Sequence, residues 1–558
     1  MIRRQKTLPF AGLCVLAACS SDDGGEDIER LRTPTEVVSQ NGELRTTFTV
    51  SDATVQVAGR SFRTIAYNNT FMPPLLRVKP GDTIYLNLNN QTGEPTNEHY
   101  HGLNVSPRVN PDATVSDNIL IQAEPGTQVN YKIEIPPWHR PGLYWYHAHL
   151  HGLAEHQVMG GLSGGLIVEG LLDPFPQLAG IEERVLLLKD VQITAQGTLP
   201  DDIDPGGDTH RTINGQTLPT IELREHELQL WRFANIGADM YYRLVFDGHT
   251  FYELARDGNP HTRLVEMKEI LLPPGARSEV FVRGGAPGEY ELRTLDVDTG
   301  PVGDDYKAAK LASVVVSPSS GRAELPLPEE LPAMEDLRTL PLARRRTITF
   351  DENTNNNTFF VDSGAGPLQF DPNRVDSTIP VGTIEEWTVN NATAEFHVFH
   401  IHQTDFQVIE INGKPQEFVG YQDSINVPFQ ATDSDPPGSV KLLIDFRNPD
   451  IVGKFVYHCH ILEHEDGGMM AIAEVVNPAG AELDDLGTVF GRRDLRKSPI
   501  PFDRNLLTNT LSAFQAGTMC KTQPPARNSG TPRTKATTSF TVERIGTQTA
   551  PPKGRRGN

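Results

Sequence analysis

The chain has 558 residues, with 50 Lys plus Arg against 72 Asp plus Glu and a formal net charge of −22. So acidic a body is repelled by a phosphate backbone, which excludes nucleic acid as its partner. After about the first twenty residues no apolar run approaches the length of a membrane span, and 48 Gly with 43 Pro exclude long helical bundles in favour of short strands and turns.

The amino terminus reads as an address. Arg3, Arg4 and Lys6 precede an apolar stretch from Leu8 to Ala18, and a polar run follows from Ser20 to Asp27. This is the layout of a secretory signal peptide over residues 1–18. Leu16-Ala17-Ala18-Cys19 resembles the lipobox of bacterial lipoproteins. The resemblance implies cleavage before Cys19, a lipid on that residue, and a periplasmic or cell-surface body held at a membrane surface. Ser20 follows the Cys where Asp accompanies inner-membrane retention, which points to the outer membrane. Residues 19–42 are polar and read as a flexible tether.

Strand patterning begins near residue 43. Ile84, Leu86 and Leu88 alternate with polar residues after the turn at Pro80-Gly81-Asp82. Leu228 and Leu230 repeat the pattern, Val408 sits between polar neighbours, and Val440, Leu442, Ile444 and Phe446 form the longest run. Period-2 runs bounded by Gly, Pro, Asn and Asp read as antiparallel strands of sandwiches or barrels. Short helices are expected only near 150–160 and 461–466. Asp173-Pro174-Phe175-Pro176 and the Pro- and Glu-rich stretch from Pro318 to Pro341 mark boundaries. The division is 43–175, 176–318 and 319–480, each about the size of one β-sandwich, with a tail over 481–558. From Gly491 the tail has thirteen Lys or Arg against three acids, a balance of +10, so residues before it carry −32. Its Thr, Pro and Gly predict disorder.

Cys14 lies in the segment that is removed, and Cys19 is the residue to be acylated. Cys459 and Cys520 remain, open to a disulfide but too few for a framework. Trp138, Trp145, Trp231 and Trp387 read as core anchors.

The 17 histidines carry more information. Random placement at that frequency gives about 0.5 His-x-His pairs. The chain has five: His99/His101, His147/His149, His149/His151, His400/His402 and His458/His460. A strand turns alternate side chains to one face, so each pair is a metal-ligand spacing for a β protein. Four segments hold them: Asn97-Glu98-His99-Tyr100-His101-Gly102, Tyr146-His147-Ala148-His149, His397-Val398-Phe399-His400-Ile401-His402, and His458-Cys459-His460-Ile461-Leu462-Glu463-His464 before Gly468-Met469. Cys459 lies between two His of one strand, so its sulfur faces away from them and serves a different metal. His464 and Met469 return from the next loop and His397 adds a second imidazole. Two His, one thiolate and a weak Met form the ligand set of a blue copper centre. The other eight His require metals of their own, and imidazole-only sites suit copper.

In order and content these segments resemble the four copper-binding motifs of the multicopper oxidases, over about residues 45–478. The resemblance implies an all-β fold of three cupredoxin-like Greek-key sandwiches, the middle one free of copper. It implies four copper ions: a type 1 ion on His397, Cys459 and His464 with Met469 axial, a type 2 ion on His99 and His400, and a type 3 pair on His101, His147, His149, His402, His458 and His460. Tyr100, Val398 and Gln403 depart from the common Trp, Pro and Gly; none is a ligand. His151 extends the second motif and reads as a neighbour of the ligands or a surface residue.

The implied activity is laccase-like. One electron at a time leaves a phenol or aromatic amine at the type 1 site and passes along Cys459 and its flanking His, and four reduce O2 to water. Glu465 and Asp117 resemble the carboxylates that serve the cluster with protons, with Asp112 as the alternative to Asp117. A metallo-oxidase of Cu(I), Fe(II) or Mn(II) is the second reading, since the acidic body attracts cations. A non-catalytic copper-sequestering protein is the third.

Overall fold

A computed structural model describes residues 29–477 except 201, 202, 204–206, 320, 322, 323, 355 and 433. The signal segment, Cys19, Cys520 and the basic tail lie outside the described residues. Three two-sheet sandwiches follow one another. In the first, a sheet ordered Glu36–Val38, Leu75–Val78, Ser163–Val168, Gly142–His147, His99–His101 faces one ordered Arg60–Tyr67, Glu43–Val57, Thr83–Asn90, Gln128–Glu134. In the second, a six-stranded sheet centred on Leu228–Asn235 and Arg277–Arg283 faces a five-stranded one. In the third, a seven-stranded sheet built on Thr383–Asn391 and Gly438–Phe446 faces Ser377–Pro380, Met470–Val476, Gly453–Cys459, His397–Ile401 and Ser424–Val427.

The expectation of antiparallel strands needs correction. Each sandwich carries at least two parallel pairings, because a crossover returns an early strand beside a later one running the same way. Glu43–Val50 runs parallel to Thr83–Asn90, Glu182–Leu188 to Leu228–Asn235, and Arg344–Phe350 to Glu385–Asn391. On the opposite sheets Leu76–Val78 pairs with Leu166–Val168, Thr220–Arg224 with Ser313–Ser317, and Ser377–Pro380 with Ala473–Val476. One topology is used three times.

Burial follows the alternation where one face meets solvent. In Thr83–Asn90 the residues Ile84, Leu86 and Leu88 are buried and their neighbours are not. Leu228–Asn235 is buried throughout. Trp231 and Phe233 fill the core of their own sandwich, while Ala234 packs with Leu75, Leu143, Trp145 and Ile167 of the first. The second sandwich is thus apolar on its outer face too, which welds it to the first; each buried Leu or Phe there contributes roughly 1.5–3 kcal/mol.

Two α-helices occur among the described residues, α1 (Ala154–Gly160) and α2 (Leu462–Asp466), in the two expected places. Neither approaches the length of a membrane span. Ala154 and Val158 of α1 pack on Leu462 of α2 and on Ala238, so three sandwiches meet here.

Residues 29–42 are not a free tether. Glu36–Val38 pairs with Leu75–Arg77, the Leu31 N–H donates to the Thr220 carbonyl at 2.9 Å, and Gln216 holds Glu29 and Arg30. The segment is polar because its anchoring is by hydrogen bonds. Trp138 also departs from expectation: it is half-buried beside His139, whereas Trp145, Trp231 and Trp387 are fully buried.

Candidate metal centre

Strand pairing assembles the histidines. His99 lies opposite His147 where His99–His101 pairs with Gly142–His147, and His400 lies opposite His458 where His397–Ile401 pairs with Gly453–Cys459. The strands of the first and third sandwiches then meet ring to ring. His99 stacks on His402 at 3.8 Å and His101 on His400 at 3.9 Å, both pairs with nearly parallel planes. All eight rings are buried.

The nitrogens point inward in a consistent way. Nδ1 of His99 donates to Asp117 Oδ1 at 3.0 Å, Nδ1 of His147 to the Ala148 carbonyl at 2.9 Å, and Nδ1 of His400 to the Asp423 carbonyl at 2.8 Å. Nδ1 of His458 donates to the Cys459 carbonyl at 2.8 Å, and Nδ1 of His149 stands 3.2 Å from Glu465 Oε1. Each outward N–H leaves a lone pair on Nε2 facing in. The Nε2 atoms of His149, His402 and His458 lie 3.1–3.2 Å from one another. Those of His99, His147 and His400 are buried with no hydrogen-bond partner among the described residues. His101 is reversed: its Nε2 faces Asp423 Oδ1 at 3.2 Å and its Nδ1 faces His460 Nε2 at 3.1 Å.

Burial lowers the basicity of these rings, His149 to about 4 and His460 to about 3, with His99, His101, His147, His400 and His402 also well below the usual value. Neutral imidazoles with convergent lone pairs cannot hydrogen-bond one another; they fit cations shared among them. Sets of three such atoms lie within 4.8 Å, among them His99/His400/His402, His99/His101/His147 and His149/His402/His458.

A second set lies on the other side of the Cys459 strand. Cys459 Sγ stands 3.6 Å from His397 Nδ1 and 3.7 Å from His464 Nδ1, which are 2.9 Å apart. The outer Nε2 atoms are occupied, His397 by Thr393 Oγ1 at 2.9 Å and His464 by Glu395 Oε1 at 3.3 Å. Burial pushes the Cys459 thiol up, so its thiolate needs a cation beside it. Met469 is fully buried, and its backbone bonds to both Cys459 and His464. These residues fit a thiolate-binding copper.

Asp117 is buried, with Oδ1 on His99 and the Tyr100 N–H and Oδ2 on Gln403 Nε2 at 2.6 Å; burial pushes it up to about 8. Asp112, the alternative, is exposed and bonded to Thr114. Glu465 is fully buried against Nδ1 of His149 and His458; burial raises it, but these rings with His460 hold it below the usual carboxylate range. His151 lies edge-on to Phe370 at 4.9 Å.

Sequence reasoning missed several neighbours. Glu395 lies two residues before His397, in the bend that leads into its strand, a nearness in sequence that was available as a signal. Gln403 was noted only as a departure, yet its side chain holds Asp117 at a φ of 58°. Asp423 and Arg277 have no local motif, because only the fold brings them to the cluster. Trp145 stacks on His147 at 4.1 Å and forms a wall as well as core.

The four segments and their scaffold also match known proteins. Profiles of the multicopper oxidase family match residues 49–172, 187–314 and 339–479, one per sandwich. The multicopper oxidase mco of Staphylococcus haemolyticus (strain JCSC1435) is 27% identical over 425 residues, 74% of this chain and 84% of that protein. The laccase of Bacillus subtilis (strain 168) is 26% identical over 482 residues, 74% and 90% of the two chains. A solved structure of the multicopper oxidase from Campylobacter jejuni, described as a metallo-oxidase, shares the fold with a TM-score of 0.66 and 24% identity, covering 81% of this chain and 98% of its own. With three cupredoxin domains matched in order and His clusters that fit copper, the chain belongs to the multicopper oxidase family, oxidoreductases that use O2.

Proposed function

We propose that this protein takes single electrons from a reducing donor beside His464 and reduces O2 to water at the eight-histidine cluster. The observation that carries the reading is the double convergence of ligand atoms, with His458-Cys459-His460 as the covalent link between the two sets. In this reading His397, Cys459, His464 and Met469 would hold a type 1 copper, and His99 and His400 would hold type 2. His101, His147 and His460, with His149, His402 and His458, hold the type 3 pair, four ions in all. Copper bound there supplies one-electron acceptance at the Cys459 site and four-electron reduction of O2 at the cluster.

The chain's own groups position and protect. The buried rings exclude bulk water. Asp117, through Oδ1, fixes the outward N–H of His99, and Glu465 stands 3.2 Å from His149 Nδ1; these two carboxyls are the groups placed beside the cluster to pass protons to the forming water.

At the donor side, the imidazole edge of His464 meets Glu395, which hydrogen-bonds Glu352. Burial and that pairing push Glu395 up to about 10. Sharing a proton, the two carboxyls keep one negative charge at this edge, which favours a cationic donor, Fe(II), Mn(II) or Cu(I). A second reading, phenols and aromatic amines, is favoured by Phe359, which stacks on the His464 ring at 4.3 Å and offers an apolar wall. Oxygen uptake by the copper-loaded protein, with each metal ion, a phenol and an aromatic amine in separate runs, tests both. Bound copper with no uptake from any donor overturns the oxidase reading and leaves copper sequestration.

Export and a lipid on Cys19 complete the proposal. Labelling with a fatty acid that is lost in a Cys19→Ser variant, with fractionation of the outer membrane, tests them.

A further inference from the structure

We propose that Arg277, carried by the second sandwich, which holds none of the ligands, is a positioning residue of the histidine cluster. Through Asp423 it sets which nitrogen of His101 faces inward. The proposal rests on the reading that the cluster holds copper.

Arg277 opens the strand Arg277–Arg283 and is fully buried. Its Nη1 and Nη2 donate to the two oxygens of Asp423 at 2.8 and 2.6 Å, the fork geometry that fixes a carboxylate plane. Nε donates to the Leu143 carbonyl at 3.2 Å and Nη1 to that of Gly275 at 3.2 Å, so the guanidinium is itself held by two sandwiches. Asp423 Oδ1 then faces His101 Nε2 at 3.2 Å and accepts from Ser424 Oγ at 2.8 Å, while its carbonyl accepts from His400 Nδ1 at 2.8 Å. One residue thus orients two rings from different sandwiches. A carboxylate takes an N–H from Nε2, which leaves the Nδ1 lone pair of His101 for the cluster. This accounts for the reversal of that ring.

Two glycines make room for the device. Gly102 follows His101 with φ +87°; a methyl there would stand 2.7 Å from Asp423 Oδ2 and nearer still to Arg277 Nη2. Gly275, two residues before Arg277 with φ +83°, lies so close to His460 that a methyl would stand 2.8 Å from its Cδ2. The turn before Arg277 therefore touches the cluster directly as well.

The test loads the full chain with Cu(II) as parent, R277Q, R277K and R232Q. Arg232 is also buried in the second sandwich and pairs with Glu279 and Glu183, but touches no ligand, so it controls for a lost buried ion pair. The readouts are copper per chain, the type 2 paramagnetic resonance signal, the near-ultraviolet band of the type 3 pair, the blue thiolate band, and far-ultraviolet dichroism. Expected in R277Q, and in R277K, which keeps the charge without the fork, is a shifted or lost type 2 signal and a weakened type 3 band. The blue band and the dichroism stay parental, and R232Q keeps every copper signal. Should R277Q fail to fold, R277K decides. A folded R277K with parental type 2 and type 3 signals and copper content overturns the proposal. So does collapse of both Arg277 variants beside a folded R232Q, which makes Arg277 a structural staple. A parent that takes up no copper instead overturns the copper reading on which the proposal stands.

Discussion

The backbone N–H of Val398 donates to the sulfur of Cys459 at 3.4 Å, between neighbouring strands. A hydrogen bond to a metal-bound thiolate stabilises its negative charge most in the reduced state, which raises the potential. Val398→Pro removes that donor. At about 1 kcal/mol for the bond, the type 1 potential should fall by roughly 40 mV, given 59 mV per tenfold for one electron. Redox titration of the blue band checks this, and an unchanged potential would show that the bond does not tune the site.

Glu352 meets Glu395 beside His464 without contacting a ligand. If the donor is a metal ion, Glu352→Gln should raise its KM about tenfold, the equivalent of about 1.4 kcal/mol, with kcat little changed. The KM for a phenol should stay where it is. Steady-state oxygen uptake with both donors separates the cases, and equal effects on the two would argue against a carboxylate-guided cation.

Glu253 lies buried in the second sandwich with His261 Nε2 at 2.9 Å, Arg256 at 2.8 Å and Ser278 at 2.7 Å. Burial alone would raise its pKa, but Arg256 and then His261 hold it down to about 2. The unfolded chain takes this proton near the ordinary value of 4.5, the folded chain only near 2. The contribution is therefore complete above pH 4.5 and lost as pH falls from there through 2. It is on the order of 3 kcal/mol, from 1.36 kcal/mol per unit. The drop in melting temperature between pH 6 and pH 3 should shrink in Glu253→Gln; the same drop in both proteins would refute the assignment.

Gly275 sits against the His460 ring at positive φ. Gly275→Ala should cost about 1–2 kcal/mol in backbone strain and displace His460 besides. We expect a lower melting temperature and a weakened type 3 band with the blue band retained. Parental spectra at parental stability would mean that the ring yields freely.

The ligand set was legible because its spacing is local: His-x-His obeys the two-residue period of a strand, and Cys459 between two His points the other way by the same rule. The residues that orient those ligands were not, because orientation is a property of the fold. Asp423 follows His402 by a whole strand and loop, and Arg277 belongs to another sandwich. The segment 29–42 misled for a related reason. Its polarity predicts solvation, but its groups are satisfied by the edges of two sandwiches. Leu228–Asn235 looked like a strand with one wet face, since Gln229 alternates with Leu228 and Leu230. The second buried face became visible only when Ala234 met Trp145.

His101 faces His460 across 359 residues of sequence, and His149 faces His458 across 309. The first sandwich therefore emerges during synthesis with His99 and His147 paired to outer acceptors of its own, while Asp423 and Glu465, which face His101 and His149, are still to be made. No complete cluster exists until the last strands have been made. Both ligand sets are completed only by residues 458–464, so a truncation anywhere before residue 460 leaves the two of them incomplete at once.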